Sequence, residues 1–287
     1  MIYEKYTGTE YSYTMPQSDN GQPYTAIADK AFLSNKTLHE LTLSPAVTQI
    51  GSWAFAHMHN LEKLTVPCTT FAFGRQIFLD CPNLSCIYVT GDSSDNPGLP
   101  YFLANAVAIL KKDELFDPKY AASADTHSDW MKKYDEALSI YINSPDENGF
   151  EPVFYGWFND EDADAQLPGY LKDRRRKKVC LVFLRLLYPL HLSAAFRTQL
   201  QAYLKDHMPD GSKASEHIAV WESLLQDGYG EDMRCIHILE DAGILTETQI
   251  ARLLEHLQPG NPEVIAYLLR LRDTMRHNTD AFQQFLL

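Results

Sequence analysis

Apolar positions recur along residues 27–89 with a period that no single helix or strand produces. Ile27, Ile50 and Phe73 lie 23 residues apart, and so do Phe32, Phe55 and Phe78. The same step relates Leu38, Leu61 and Leu84; Leu41, Leu64 and Ile87; and Leu43, Val66 and Val89. A repeat of this length predicts a solenoid with one coil per copy. Each copy closes on alternating apolar and polar residues, as in Leu64-Thr65-Val66, which predicts a short strand; Pro45 and Pro67 follow, where a missing N–H does least harm. Ala31-Phe32, Ala54-Phe55 and Ile77-Phe78 are expected on tighter helical or irregular backbone.

A single coil cannot stand alone. Burying the five column residues of the middle copy yields on the order of 10 kcal/mol, at about 1.5–3 kcal/mol each. Ordering the backbone from Ile50 to Thr70 costs about 1–2 kcal/mol per residue, which is more. Stacking reverses the balance, because the apolar columns and strand edges of one coil then meet those of the next.

Residues 1–26 read as a degenerate opening coil. Tyr13, Met15 and Pro16 overlay Leu64, Val66 and Pro67, and Asp19-Asn20-Gly21 is then an inserted turn. Tyr3, Tyr6, Tyr11 and Tyr13 suit a terminal cap. After Val89 the pattern changes. Residues 91–98 are turn-rich and mark a boundary between a domain over 1–98 and a second over 99–287.

Helical periodicity follows. Helices are expected over Tyr101–Leu110, over Trp130–Ile142 with Trp130, Tyr134, Ala137, Leu138 and Tyr141 on one stripe, and over Gly169–Leu187. The last is apolar nearly all round in its second half, and Pro189 stops it. Residues 144–169 are expected to be irregular. Ser193 caps a helix over Ala194–His207, Thr246 and Gln249 form a capping box for one ending near Leu257, and Asn261-Pro262 starts one ending near Arg276. Gly243 and Gly260 occupy C-terminal cap positions. Open phenylalanines at the last coil (Phe73, Phe78, with Leu84) need a cover, and the helices after residue 98 are the nearest supply.

The columns carry a resemblance. The stretch IGSWAFAHMHNLEKLTVP resembles the bacterial BspA-type leucine-rich repeat, whose pattern runs I-G-x-x-A-F-x-x-C-x-x-L-x-x-I-x-I-P. Ile50, Gly51, Ala54, Phe55, Leu61, Leu64, Val66 and Pro67 match in place, and Cys81 falls at the cysteine position. Asn35, Met58 and Ala28 depart from it. The resemblance covers the first third of the chain and implies a curved parallel sheet used for recognition, often at bacterial surfaces, with no reaction attached. From Asp232 on the chain has the rhythm of helical-hairpin repeats, distantly ankyrin-like, and the helical stretch resembles the tail of some BspA-type proteins. The expected fold is therefore an α/β leucine-rich-repeat solenoid with a short parallel sheet, followed by an all-α helical-hairpin domain.

Composition narrows the function. A formal net charge of −13 over 287 residues argues against general nucleic-acid binding or attraction to anionic membranes. No stretch is apolar for long enough to span a bilayer. Residues 1–6 lack the apolar core of a secretory leader, so a cytoplasmic location is expected, or a surface or secreted one if a leader has been removed. Five cysteines, with no C-x-x-C pair, read as free thiols.

The chemistry of the chain points to binding. With Leu41, Leu64 and Ile87 facing in, Glu40, Thr42, Lys63, Thr65, Cys86 and Tyr88 face out, and Thr14 extends the threonine column. This face is the candidate site for a protein or peptide partner; as a structural feature alone it would be a stabilising threonine ladder. No catalytic residue, cofactor or metal is expected, and the protein is read as a non-enzyme. Asp146-Glu147-Asn148-Gly149 fails as a calcium loop because Trp157 stands where a bidentate acid belongs. His57 and His59 are read as ordinary histidines without an acidic or cysteine partner at ligand spacing, and Cys235 and His237 as lying on different sides of a helix. Two alternatives remain. One is a hydrolase or transferase in the helical part, centred on the aromatic and acidic segment Phe150 to Asp164 and requiring paired carboxylates among residues 160–164. The other is a weak nucleic-acid contact through Lys172, Arg174, Arg175, Arg176, Lys177 and Lys178, set against consecutive helical residues pointing all round their axis.

Overall fold

Each coil of the N-terminal region contributes two strands, and the equivalent strands of successive coils pair in parallel. In the computed structural model all residues are described except 92–95, 124–127, 152–159, 208–227, 258–260 and 285–287. The larger sheet joins β2 (Ser12–Thr14), β6 (Glu40–Thr42), β8 (Lys63–Pro67) and β10 (Cys86–Thr90). The other joins β1 (Ile2–Tyr3), β5 (Ala26–Ile27), β7 (Gln49–Ile50) and β9 (Ala72–Phe73). The repeat thus has a second strand, at the Ile27, Ile50 and Phe73 column, that alternation does not reveal because it is two residues long.

Register follows the 23-residue step. Leu41 pairs with Leu64 and Leu64 with Ile87, and Tyr13 pairs with Leu41, so the degenerate opening coil, which precedes the first full coil at 27–49, joins in the expected phase. Its extra length is absorbed by an antiparallel hairpin of β3 (Ser18–Asp19) and β4 (Gln22–Pro23). Asn20 and Gly21 make its two-residue turn, with φ of 48° and 79°, as a type I′ turn requires.

Coils are also tied along their third side. Phe32 N–H donates to the Ala54 carbonyl (2.8 Å) and Phe55 N–H to the Ile77 carbonyl (3.1 Å). The backbone there is neither helix nor strand. It passes through the left-handed region at Lys30, Trp53 and Gln76 and again at Ser34, His57 and Asp80, two positions repeated by the 23-residue step. Gly51 and Gly74 sit where one coil approaches the previous one most closely. A Cβ at Gly74 would lie 2.2 Å from the Ser52 nitrogen, and one at Gly51 would lie 2.5 Å from the Asp29 nitrogen. The equivalent residue one coil earlier is Ala28, whose N–H donates to the Tyr3 carbonyl.

The phenylalanine column is continuous. Phe32, Phe55 and Phe78 are buried, with ring centroids 5.6 Å apart at both steps. Tyr3 and Tyr6 close one end against Phe32, at 5.6 and 5.4 Å. Cys81 donates its thiol to the Phe55 carbonyl (3.1 Å), and burial pushes that thiol up to about 11. At the equivalent place in the first coil, Asn35 Oδ1 instead accepts from the N–H groups of Thr37 and Leu38, and Met58 is simply buried in the second. All five cysteines are free.

The chain forms two compact units, Met1–Ile142 and Asn143–Leu287. In the first, α1 (Leu99–Ala108) packs on β10, and α2 (Pro118–Ala122) is capped by Asp117, whose carboxylate accepts from Lys119 and Tyr120 N–H. The long α3 (Ser128–Asn143) buries Trp130, Tyr134, Ala137 and Leu138 as expected, while Tyr141 of the same stripe is half-buried; the Trp130 indole donates to the Leu115 carbonyl. The second unit holds α4 (Asp160–Leu187), α5 (Ala194–Asp206), α6 (Met233–Asp241), α7 (Glu247–His256) and α8 (Pro262–Gln284). There α4 packs on α5 and α6, and α7 pairs with α8.

Two helix boundaries differ from expectation. Residues 160–169, expected to be irregular, extend α4 backward through Pro168, and α8 runs eight residues past Arg276 to Gln284. The Ser193 cap and the Thr246–Gln249 capping box form, and Gly243 takes φ 64° after α6. Gly260 lies outside the described residues. In the apolar half of α4, Arg185 is fully buried; its guanidinium donates to the Tyr188 (2.7 Å) and Leu190 (2.8 Å) carbonyls beyond the helix end. No helix among the described residues is long and apolar enough to cross a membrane.

Candidate functional site

Parallel pairing without a slip turns residues spaced by 23 into rows across the larger sheet. One row reads Ser12, Glu40, Lys63, Cys86 and the next Thr14, Thr42, Thr65, Tyr88. The seven candidate residues therefore share one face, opposite the buried Leu41, Leu64 and Ile87. Their environments differ. Thr14, Lys63 and Tyr88 are exposed, Glu40, Thr42 and Thr65 half-buried, and Cys86 is buried, 5% exposed. Cys86 is therefore set deeper than its row-mates.

Charge is matched within the face. Lys63 Nζ lies 2.8 Å from Glu40 Oε1, which raises the ammonium and lowers the carboxyl relative to their ordinary values. The Tyr88 hydroxyl is raised, first by the Cys86 thiol beside it and then by partial burial. At the start of the same strands, the ring of Tyr11 stacks on His39 at 4.2 Å, and His39 Nδ1 lies 2.9 Å from Glu62 Oε1. Two exposed aromatic rings, Tyr11 and Tyr88, belong to the opposite edge strands or their immediate approach, with the Glu40–Lys63 pair on the strands between. Such a surface offers ring faces, hydroxyls and one ion pair, and no arrangement of nucleophile and base.

In the basic stretch of α4, Arg174, Arg175, Lys177 and Lys178 find partners inside their own unit. Arg175 Nε (2.7 Å) and Lys178 Nζ (2.6 Å) donate to the Asp146 carboxylate, Arg174 to the Ser144 hydroxyl (2.9 Å), and Lys178 also to the Ser144 carbonyl (2.6 Å). Lys177 pairs with Asp173. Burial works to raise Asp146, but its hydrogen bonds to Arg175 and Lys178 outweigh it and hold the carboxyl below the usual range. Arg174, Arg175 and Lys178 thus meet Ser144 and Asp146, ahead of α4, a role that spacing alone does not indicate. In the proposed acidic aromatic site, residues 152–159 and the side chains of 160–164 lie outside what the structure describes.

One expectation is overturned. His57 and His59 do have an acidic partner: Asp80 Oδ2, from the following coil, lies 3.1 Å from both His57 Nδ1 and His59 Nε2. Their link was hidden in the repeat, since residues 57 and 80 occupy one column, yet only the apolar columns draw the eye.

A match to a known family agrees with the repeat. The family described as BspA type leucine rich repeat region matches residues 12–94, in six copies. Among solved structures, the leucine-rich repeat protein of T. pallidum is similar at 27% identity over 30% of this chain, with a TM-score of 0.30. The match spans 40% of that protein's own length. No curated protein matches the chain.

Proposed function

We propose that this chain, a BspA-type leucine-rich repeat region over residues 12–94, is a non-enzymatic interaction module. Residues 1–98 form the recognition domain and residues 99–287 its helical companion. The partner is a protein or peptide, held on the face of Thr14, Glu40, Thr42, Lys63, Thr65, Cys86 and Tyr88. The observation that carries this reading is the unbroken register that sets four side-chain pairs in two rows, with exposed tyrosines toward both edges. Exposed tyrosines are the residue type enriched among binding hot spots, and a fixed backbone lowers the entropic cost of binding.

Size favours a slender partner. Four strands span about 14 Å at their ~4.8 Å spacing, so the face falls short of the roughly 800 Å² per side of a standard interface. An extended peptide or one protruding element fits it. The test is selection of a peptide library on the full-length protein, followed by binding to Thr65→Arg and Tyr88→Ala variants. Selected peptides should lose at least tenfold in affinity for both. Peptides that bind both variants as well as the parent would remove this face from consideration.

A further inference from the structure

Outside the sheet face, the stack brings three metal-ligating side chains together on the turn side of the solenoid. The Nδ1 of His57, the Nε2 of His59 and a carboxylate oxygen of Asp80 all lie within 4.8 Å of one another. Both nitrogens are 3.1 Å from the same oxygen. In a tetrahedral zinc shell with bonds of about 2.0–2.1 Å, neighbouring ligand atoms stand about 3.3 Å apart. Two of the three ligand separations therefore already match such a shell. We infer that His57, His59 and Asp80 form a surface site for a borderline divalent transition metal of the Zn²⁺ class, bridging the second and third coils.

The backbone prepares the site. His57 and Asp80 occupy the same left-handed position of consecutive coils, with φ of 56° and 55°, so the repeat itself aims both side chains outward in parallel. His57 N–H donates to the Leu79 carbonyl (2.8 Å), and the His59 carbonyl accepts from Asn83 Nδ2 (2.8 Å). Both histidines are thus tied by hydrogen bonds to the coil that supplies the carboxylate. The two imidazole rings lie 21° from parallel with centroids 6.3 Å apart, so a small closure of side-chain torsions brings both nitrogens onto one ion. The donor set, two imidazoles and one carboxylate, suits Zn²⁺, Co²⁺ or Ni²⁺ over Ca²⁺ or Mg²⁺, which prefer all-oxygen shells.

The first coil lacks this chemistry, having Ser34 and Lys36 at the positions of His57 and His59. The site therefore belongs to one junction of the stack and not to the repeat in general. With side chains 44%, 56% and 48% exposed, three protein ligands leave at least one coordination position facing solvent. That position is open to water or to a donor atom from another molecule.

Calorimetric titration of the full-length protein with ZnCl₂ tests the inference, in a buffer that does not bind zinc. One equivalent should bind, and His59→Ala and Asp80→Asn should each weaken that binding at least tenfold. Both positions are exposed, and circular dichroism serves to check that the variants keep the fold; His57→Asn, which also tolerates a left-handed backbone, serves as a third variant. Thermal unfolding should shift upward with zinc in the parent and not in the variants. Absence of saturable binding below millimolar zinc overturns the proposal. So does binding that is unchanged in all three variants, which would place the metal on other groups such as the free thiols.

Discussion

The ring of Phe116 stands edge-on to that of Phe78, with centroids 4.8 Å apart and planes at 82°. It also meets Phe73 at 5.2 Å. The aromatic column thus does not end at the last coil. It runs on into the segment between α1 and α2, which supplies the one ring the repeat cannot supply for itself. Phe116→Ala should lower the stability of this unit by about 3–5 kcal/mol, as for other buried phenylalanines. Urea unfolding measures the loss, and binding of a hydrophobic dye in the native baseline should rise as Phe78 is uncovered.

Close approach of the coils makes a second, independent prediction. Gly74→Ala would place a Cβ 2.2 Å from backbone nitrogen and 2.5 Å from a backbone carbon, and neither can move aside like a side chain. The coils must separate locally, at a cost of about 1–3 kcal/mol. Ala28→Gly, at the same column, should cost less than Gly74→Ala. Equal effects in denaturant would show that coil separation is not limited at this position.

Left-handed positions invite a stabilising change. Ser34 is exposed with φ 57°. Relieving that conformation is worth about 1–2 kcal/mol, against about 0.5–1 kcal/mol for the extra freedom of glycine in the unfolded chain. Ser34→Gly should therefore raise stability slightly, and Ser34→Val should lower it. A thermal melt of the two variants beside the parent decides the sign.

The Asp146 cluster sets an acid limit for the second unit. Lys178 has a side chain only 3% exposed, and Asp146 is its ionic partner. Removing the carboxylate in Asp146→Ala strands a buried ammonium, at a cost of about 3–5 kcal/mol. Because the folded carboxyl is held below its ordinary value, its contribution is fully present above the unfolded value of about 3.9. It is lost as pH falls through the lower folded value. Stability followed from pH 7 to pH 2 should drop more steeply for the parent than for Asp146→Ala, and the two curves should converge at the acid end.

The sequence discloses this protein unevenly, and the reasons are physical. Phe32, Phe55 and Phe78 are legible because apolar burial is a strict requirement at each coil. The outward rows from Glu40 to Tyr88 are legible because strand alternation fixes which side faces solvent. The second strand at Ile50 escapes, being too short to alternate. Left-handed turns at Trp53 and His57 escape because neither is a glycine; inter-coil hydrogen bonds hold them in that conformation. The burial of Cys86 cannot be read from alternation, which gives a side chain's direction and not what lies over it. Asp80 is legible in principle: it is His57 displaced by one repeat, in a polar column that apolar periodicity does not mark.

The serial arrangement of coils has a mechanical consequence. Each turn of the wall is held by the turns beside it, so tension applied between residue 1 and residue 90 would strip one layer at a time. Each release would lengthen the tether by up to about 80 Å, the contour of one 23-residue repeat. With Phe116 anchoring the far end, the first layer to yield would be the tyrosine-lined one at the amino terminus. Under load the molecule would let out from a single side, layer by layer.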